Sequence, residues 1–554
     1  MPNENVREIA NSYLAEIIKL DPVSATYFGI GEPTDGYGDY SPEGSKAFAA
    51  LNQKTLTDIT GAKESEPLDR VAKVAIAERL NVDIDSFNQE EHLRDLNVIA
   101  SPMQSIRQVF DMMPRATDDD FALVSNRLSK VENALMQYKV TLKMGLQENK
   151  SASVRQALAC GMQARAYANE KNGYFANLGQ SYRGSNQNLA KELEQNAKSA
   201  AVAYLEFANF LENEYASSTK ASDYIGADRW ALKCRAFNGT QVDPIDTYSW
   251  GWDELNRIDQ EMAKTAKQIL PNASLAQVMD HLETKAGYVI KGEENFLKWN
   301  QELLDSTITE LNSKHFNIPE PVKKVEAMIA PSGGAAAMYY TPPNADFSRP
   351  GRTWYPTMGR DTFPLWTEVS TAYHEGVPGH HLQFGYITFL GEKLNAFSRL
   401  LGAISGHLEG WALYAERLMD ELGYLEDPVY RLGMLSAQAF RAARIVVDIG
   451  LHHQFQIPQN HSFLPSRPWT PDLAVELIHS VSGREREFSV SEVDRYLGWP
   501  AQATSYKIGE RVWLETREAS RRARGSKFSL SDFHQRGFEL GFVGLNQLRD
   551  ELGN

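Results

Sequence analysis

Cysteine is nearly absent from this chain. Its 554 residues include two cysteines, Cys160 and Cys234. Two cysteines are too few for a disulfide framework or for a zinc site built from cysteine ligands. The sequence therefore excludes the small disulfide-stabilised proteins and the cysteine-rich zinc modules.

Positive charge and long apolar runs are also scarce. Lysine and arginine number 57 against 72 aspartate and glutamate, which gives a net charge of −15. This excess of acid argues against a general nucleic-acid binder. No apolar run reaches the roughly 18 residues that a membrane-spanning helix needs, and the first residues lack the basic start and apolar centre of a secretory signal. We expect a cytoplasmic protein with neither a nucleic-acid nor a membrane partner.

Apolar residues recur at helical spacing through most of the first 310 residues. The first such stripe consists of Val6, Ile9, Tyr13, Leu14 and Ile17. It stops at Asp21-Pro22, and similar stripes follow at 68–90, 120–147, 152–174 and 188–216. This spacing is typical of amphipathic helices that pack one face against a core.

The composition changes in the middle of the chain. Eight prolines fall between residues 316 and 364, a density that breaks helices. Between them, Lys323–Ala330 and Ala335–Thr341 are the best strand candidates. The helical pattern returns at residue 365, and Thr470-Pro471 is a helix start. The sequence predicts one mainly helical domain over 1–554, with helical sub-regions at 1–315 and 365–554 and a small sheet within 316–364.

Histidine is concentrated in one part of the chain. Six of the 12 histidines lie between residues 374 and 453, and three of them share the string 374–383 with Glu375. A second string, 409–416, begins and ends with glutamate. The first string resembles the zinc-protease motif, in which two histidines four residues apart bind the metal and a glutamate beside the first acts as base. Here His374-Glu375 is intact, but Pro378 occupies the place of the second histidine.

The second histidine ligand is either His380 or His381. On a straight helix His381 would return to the face of His374. However, Pro378 removes a hydrogen bond to the His374 carbonyl and should bend the helix, so the spacing does not decide between the two.

A carboxylate on a later helix suits the third ligand of such a site. Glu409 follows His380 by 29 residues, and Glu416 lies on the same helical face as Glu409. Glu416 is either the fallback ligand or a partner that orients a ligating histidine. The alternative is a chance cluster of histidines without function. Glu375 argues against a purely structural site, since such a site needs ligands but no base.

Together these strings resemble the bacterial domain-of-unknown-function family 885. Further matches are the stretch from Arg441 to His452, Tyr506 with Gly509, Phe533-His534 with Gly541, and the early Asp21-Pro22-Val23, so the resemblance covers nearly the whole chain. That family is in turn similar to the helical zinc peptidases, especially the thermostable carboxypeptidase family and its oligopeptidase relatives. The resemblance implies a mainly α, two-lobed zincin architecture of the gluzincin type. It places a small β-sheet next to a deep active-site channel.

The resemblance also implies roles for single residues. It favours His380 over His381, so that His374, His380 and Glu409 would hold one Zn²⁺ and Glu375 would act as the general base. The relatives use Tyr or His to stabilise the oxyanion, and Tyr506, His452 and His534 are the candidates here. The residues expected to support the ligands are His381, Gln383 and Glu416.

Two features suit a peptide substrate. The small side chains Ala336 and Ala337 would let an extended peptide pair with an edge strand, although an ordinary hairpin is the simpler interpretation. Arg441 and Arg444, or else Arg352, could bind a terminal carboxylate, and the alternative is that they form structural ion pairs.

The expected function is therefore a zinc metallopeptidase, of carboxypeptidase or oligopeptidase type, that cleaves short peptides. One alternative is a zinc hydrolase of non-peptide amide bonds. A second is a non-catalytic protein that keeps a zincin fold as a binding scaffold.

Overall fold

The computed structural model describes residues 5–330, 338–459 and 463–554. Helices dominate this described part of the chain. In chain order they are α1 (Val6–Leu20), α2 (Pro22–Phe28), α3 (Pro42–Gly61), α4 (Pro67–Asn88), α5 (Pro102–Met112), α6 (Asp118–Leu128), α7 (Val131–Gln147), α8 (Val154–Tyr167), α9 (Tyr174–Gly179), α10 (Gln187–Asn209), α11 (Ala216–Ser218), α12 (Ala227–Asn238), α13 (Pro244–Ile269), α14 (Leu275–Leu282), α15 (Glu293–Leu311), α16 (Glu368–Glu375), α17 (His380–Leu390), α18 (Ser405–Glu421), α19 (Pro428–His453), α20 (Pro471–Ser482), α21 (Arg486–Gly498), α22 (Ser505–Arg524), α23 (Leu530–Glu539) and α24 (Leu545–Leu552).

Five short strands of the described residues form two small sheets. They are β1 (Val289–Lys291), β2 (Val325–Ile329), β3 (Tyr339–Thr341), β4 (Gly351–Tyr355) and β5 (Thr362–Pro364). Strands β1 and β5 pair antiparallel. In the other sheet β4 lies between β2, to which it is parallel, and β3, to which it is antiparallel.

The expectation of a mainly helical chain with a small sheet near its middle is confirmed. Strands β2 and β3 fall inside the two predicted strand regions. The stripes over 120–147 and 152–174 are not single helices, because the chain breaks between α6 and α7 at Ser129 and Lys130, and α8 ends at Tyr167. Ala336 and Ala337 lie outside the described residues. Within the described ranges, no helix is both long and apolar enough to cross a membrane.

The chain divides into two compact units. Unit 1 comprises Met1–Ser65, Ile76–Ile225 and Asp494–Pro500, and unit 2 comprises Glu66–Ala75, Gly226–Val493 and Ala501–Asn554. The sub-region boundaries at 316 and 365 stay a prediction.

Unit 1 is built around α10. This helix packs against α6, α7, α8 and α9, and aromatic side chains fill the space between them. The Tyr138 ring stacks on Phe207 with 5.5 Å between ring centroids, and the Phe175 and Tyr204 centroids lie 5.0 Å apart. The Tyr204 hydroxyl donates to the Met103 carbonyl at 2.7 Å, so the buried polar end of this ring is satisfied.

Unit 2 rests on two long helix pairs, α13 with α19 and α18 with α22. The second pair packs closely because glycine faces glycine where the helices meet. A Cβ on Gly410 would lie 2.4 Å from the Gly509 Cα, far inside van der Waals contact. This close approach fixes α22 against α18, and Tyr506 lies one turn before Gly509 on α22.

Candidate metal centre

The first histidine string forms two helices rather than one. Helix α16 ends at Glu375 and α17 begins at His380, with Pro378 in the turn between them. The Trp411 indole N–H on α18 donates to the Pro378 carbonyl at 2.9 Å and contacts the Gly379 carbonyl at 3.2 Å. The predicted interruption at Pro378 is therefore confirmed, and the tryptophan of the second string anchors the turn.

The turn leaves no room for a side chain at Gly379. A Cβ there would lie 2.0 Å from the His374 carbonyl oxygen and 2.4 Å from that of Tyr373. We expect Gly379→Ala to lower the free energy of unfolding by about 2–4 kcal/mol, because backbone atoms cannot yield as a flexible side chain can. Denaturant titration measures this. In the control variant Gly61→Ala the added Cβ meets nothing within 4 Å, and an equal loss in both variants would contradict the prediction.

Two histidines and one glutamate converge at this turn. His374 Nε2 lies 3.3 Å from Glu409 Oε2, and His380 Nε2 lies 3.5 Å from the same oxygen. The two imidazole rings are 4.9 Å apart and nearly perpendicular, at 88°. Among the described residues this is the one group of three or more His, Cys, Asp or Glu whose ligand atoms all lie within 4.8 Å of one another. We call it the triad.

His381, the other candidate ligand, is bound elsewhere. Its Nε2 lies 2.7 Å from the Val322 carbonyl and its Nδ1 lies 2.9 Å from the Tyr340 hydroxyl on β3. A carbonyl can only accept, so Nε2 carries the proton and Nδ1 accepts from Tyr340. Burial lowers the pKa of His381 to about 4, which keeps the ring neutral. His381 therefore links α17 to the small sheet and has no ring nitrogen left for a metal.

A buried carboxylate orients His374 from behind. Glu416 on α18 lies 2.7 Å from His374 Nδ1, and Ser370 on α16 donates a hydrogen bond to the other Glu416 oxygen. A carboxylate behind a ligating histidine fixes its tautomer and raises its basicity. Of the two roles open to Glu416, ligand or support for a histidine, the geometry fits the second.

We expect Glu416→Gln to weaken Zn²⁺ binding about 10- to 100-fold, because the His374 ring loses its anionic partner. Competition with a fluorescent chelator measures the dissociation constant. Glu421→Gln is the control, since Glu421 is on the same helix but pairs with Arg517 at 2.8 Å. An affinity equal to that of the parent in Glu416→Gln would show that this contact does not act on the metal.

Glu375 lies beside the triad but is not one of its members. Its side chain is buried, yet it forms no hydrogen bond or ion pair with another described residue. Burial raises the pKa of the Glu375 carboxyl, against the opposing charges of His380 and His374. A carboxylate with a raised pKa and no other partner suits a group that takes up and releases a proton.

The Glu409 carboxylate behaves differently. Burial raises its pKa, but hydrogen bonds and charge from His374 and His380 outweigh burial and hold the pKa well below its usual range. Its side chain keeps 22% of its surface exposed. Glu409 therefore stays ionised, as a ligand must, on the side of the triad that solvent reaches.

Tyr506 and two predicted arginines adjoin the triad. The Tyr506 ring stacks 6.4 Å from the His374 ring, with 19° between the planes. The guanidinium carbons of Arg444 and Arg441 lie 4.7 and 5.9 Å from the Tyr506 ring centroid. Arg352 instead pairs with Glu326 on the neighbouring strand at 2.7 Å.

Three other predicted residues are not brought into the triad. His534 Nε2 lies 2.8 Å from the Tyr414 hydroxyl oxygen, and the His534 ring stacks on Phe316. His452 is buried on α19, eight residues beyond Arg444. Gln383 is fully buried, and neither atom of its amide has a hydrogen-bond partner in the described part of the chain.

The triad fits a metal by the chemistry of its donors. Two imidazole nitrogens and one carboxylate oxygen form a His₂Glu set, which is typical of catalytic zinc sites that keep a coordination position open. No fourth His, Cys, Asp or Glu of the described residues joins the group. The described residues therefore bring together three donors of the types that could hold a metal ion.

Known proteins resemble this chain over nearly its whole length. A family model described as "Bacterial protein of unknown function (DUF885)" matches residues 22–552. The crystal structure of "the putative lipoprotein from Colwellia psychrerythraea" superposes with a TM-score of 0.84 at 22% sequence identity, over 99% of this chain and 98% of that chain. No curated protein matches.

A second similar structure is that of a lipoprotein "of unknown function from Shewanella oneidensis", also named as putative. It superposes with a TM-score of 0.75 at 17% sequence identity, over 99% of each chain. At identities this low, the two structures show that the fold is shared.

Proposed function

The chain belongs to the bacterial DUF885 family, as its motifs predict, and we propose that it is a zinc-dependent hydrolase of amide bonds. We propose further that it is a metallopeptidase of the carboxypeptidase or oligopeptidase type with a gluzincin-like active site. The observation that carries this is the His₂Glu triad beside Glu375, a buried carboxyl that is not a member of the triad. A binding scaffold would need the three ligands but not Glu375.

The residues of this chain divide the work of amide hydrolysis. His374, His380 and Glu409 would hold Zn²⁺, which when bound supplies a Lewis acid that lowers the pKa of water. Glu375 takes a proton from the attacking water at its carboxylate and delivers it to the nitrogen of the leaving amine, so the products are a carboxylic acid and an amine. The Tyr506 side chain, stacked beside His374, is the proposed donor to the oxyanion.

The experiment is a search for hydrolysis with the full-length protein. Zinc-loaded protein is incubated with a mixture of short synthetic peptides, and the products are identified by mass spectrometry with and without a chelator. Chelator-sensitive cleavage of peptides supports the proposal. Cleavage of acyl amides but not of peptides would favour the alternative amide hydrolase, and no cleavage of either by metal-loaded protein would favour the scaffold.

The location of the protein is a separate proposal. We propose that it is cytoplasmic, because its two cysteines are free thiols, as is usual for proteins of a reducing compartment. Fractionation of cells that produce the protein tests this, and recovery with the membranes, as the names of the two similar structures suggest for those proteins, would overturn it.

A further inference from the structure

Positive charge accumulates beside the rings of Tyr506 and Phe488. Arg441 and Arg444 lie one turn apart on α19, with their guanidinium groups over the Tyr506 ring. Arg484 follows α20, and its guanidinium packs on the Phe488 ring at 4.8 Å. The Phe488 ring lies 5.8 Å from that of Phe440, on which Arg441 and Arg444 also pack. We call these three residues the arginine cluster. Because Tyr506 stacks on His374, the cluster adjoins the triad.

Acidic residues do not balance this cluster. Glu492 pairs with Arg444 at 2.8 Å. Arg441 and Arg484 form no ion pair with any carboxylate of the described residues, and the buried Arg441 Nε has no hydrogen-bond partner there. One guanidinium nitrogen of Arg441 reaches only the Ala437 carbonyl, at 3.4 Å. Two of the three positive charges are therefore unpaired.

The arginines also repel one another. Although Arg484 is an exposed residue, its guanidinium packs against protein atoms, and the loss of hydration lowers its pKa. The charge of Arg441 lowers that pKa further, and the carboxylates of Glu368 and Glu492 oppose the shift. Burial raises the pKa of Glu368 itself to about 7, so Glu368 supplies only part of a negative charge at neutral pH. An arrangement of like charges with this deficit attracts an anion.

The anion must fit the guanidinium groups of the arginine cluster and the position of the cluster beside the triad. A guanidinium presents parallel N–H donors that match the two oxygens of a carboxylate. The Arg441 guanidinium carbon lies 5.9 Å from the centroid of the Tyr506 ring, and that ring lies 6.4 Å from the His374 ring. An anion on Arg441 would therefore lie within one substrate's length of the proposed reacting groups.

We propose that Arg441 and Arg484 bind a carboxylate of the substrate, while Glu492 holds Arg444 in position beside them. This inference rests on the proposed amide hydrolysis and names its substrate class: an amide or peptide with a carboxylate close to the bond that is cleaved. The carboxylate is either the chain terminus or an acidic side chain.

Binding tests the arginine cluster without hydrolysis. The probes are N-acetyl-phenylalanine, which has a carboxylate, and its uncharged amide, each titrated into metal-free protein by calorimetry. We expect the acid to bind at least about 10-fold more tightly than the amide, and Arg441→Gln and Arg484→Gln each to remove this preference. Arg441→Lys keeps the charge but loses the paired donors, so its preference should be intermediate.

The control variant is Arg511→Gln, which removes the same charge from an exposed arginine on α22 that pairs with Glu515. It should bind the acid as the parent does. Thermal melts check that every variant folds. Equal binding of acid and amide by the parent, or an undiminished preference in Arg441→Gln, would overturn the proposal.

Hydrolysis then distinguishes the two sources of the carboxylate. The substrates are an N-acetylated dipeptide with a free terminus, the same dipeptide as its amide, and an amidated dipeptide with a glutamate side chain. Preference for the first assigns the chain terminus, and preference for the third assigns the side chain; in either case Arg441→Gln should lower kcat/KM roughly 100-fold. Equal cleavage of all three would leave the amide hydrolase standing and overturn the carboxylate site. Arginine-dependent binding with no cleavage would support the carboxylate site and overturn the amide hydrolase.

Discussion

The Glu375→Gln variant is expected to lose hydrolytic activity while it still binds zinc. Glutamine has nearly the same shape as glutamate but cannot accept and pass on a proton. Removing a general base lowers the rate about 10²- to 10⁴-fold. Glu375 is not one of the ligands of the triad, so zinc stoichiometry, measured by mass spectrometry of the metal, should equal that of the parent. Activity retained in this variant would remove Glu375 from the mechanism.

Two measurements show whether Glu375→Gln loses activity because the general base is missing or because the fold is damaged. Glu302→Gln removes a carboxylate from the exposed surface of α15, where Glu302 keeps 66% of its surface, and it should leave activity unchanged. Because burial raises the pKa of Glu375, its contribution to stability is present in full below the unfolded-state pKa and is lost as the pH rises through the folded-state pKa. At pH 8 the neutral glutamine should therefore melt no lower than the parent in metal-free protein.

The sequence predicts the triad because most of its signals are local. His374 and Glu375 are adjacent, and Glu409 and Glu416 lie seven residues apart on one helix, so periodicity alone places them. Helical spacing stops being a guide at Pro378, because the proline interrupts the helix. Spacing then does not distinguish His380 from His381 as the second ligand. The resemblance selects His380, and in the structure both ring nitrogens of His381 are engaged by Tyr340 and Val322.

Contacts between distant residues explain what the sequence does not predict. The partners of His381 are 41 and 59 residues away, at Tyr340 and Val322, and no periodic pattern connects residues so far apart. Arg484 stands in an exposed segment without a motif and becomes notable only beside Arg441. His534 matches the family pattern as well as Tyr506 does, but its neighbours are aromatic side chains that position it in a core. A motif therefore predicts which residues belong to the site more readily than it predicts which of them contact one another.

Alanine at the two triad histidines is expected to remove metal binding, whereas alanine at His381 should not. The parent should bind about one equivalent of Zn²⁺. His374→Ala and His380→Ala should each weaken binding at least about 100-fold, since each removes one of three ligands. His381→Ala should keep the stoichiometry but lower the free energy of unfolding by about 2–4 kcal/mol, because the Val322 carbonyl and the Tyr340 hydroxyl lose their partner.

The comparison of adjacent histidines makes this result independent of general damage to the fold. His281→Ala, at the exposed C-terminal end of α14, is the surface control and should match the parent in both stability and zinc content. Metal loss in His381→Ala with metal retained in His380→Ala would exchange the two assignments. Equal zinc content in all four variants would mean that the triad is an ion-pair cluster, in which the carboxylates of Glu409 and Glu416 hold a proton on His374 rather than a metal. In that case chelation would leave the melting temperature of the parent unchanged, whereas a bound metal stabilises the folded state by mass action and its removal lowers that temperature.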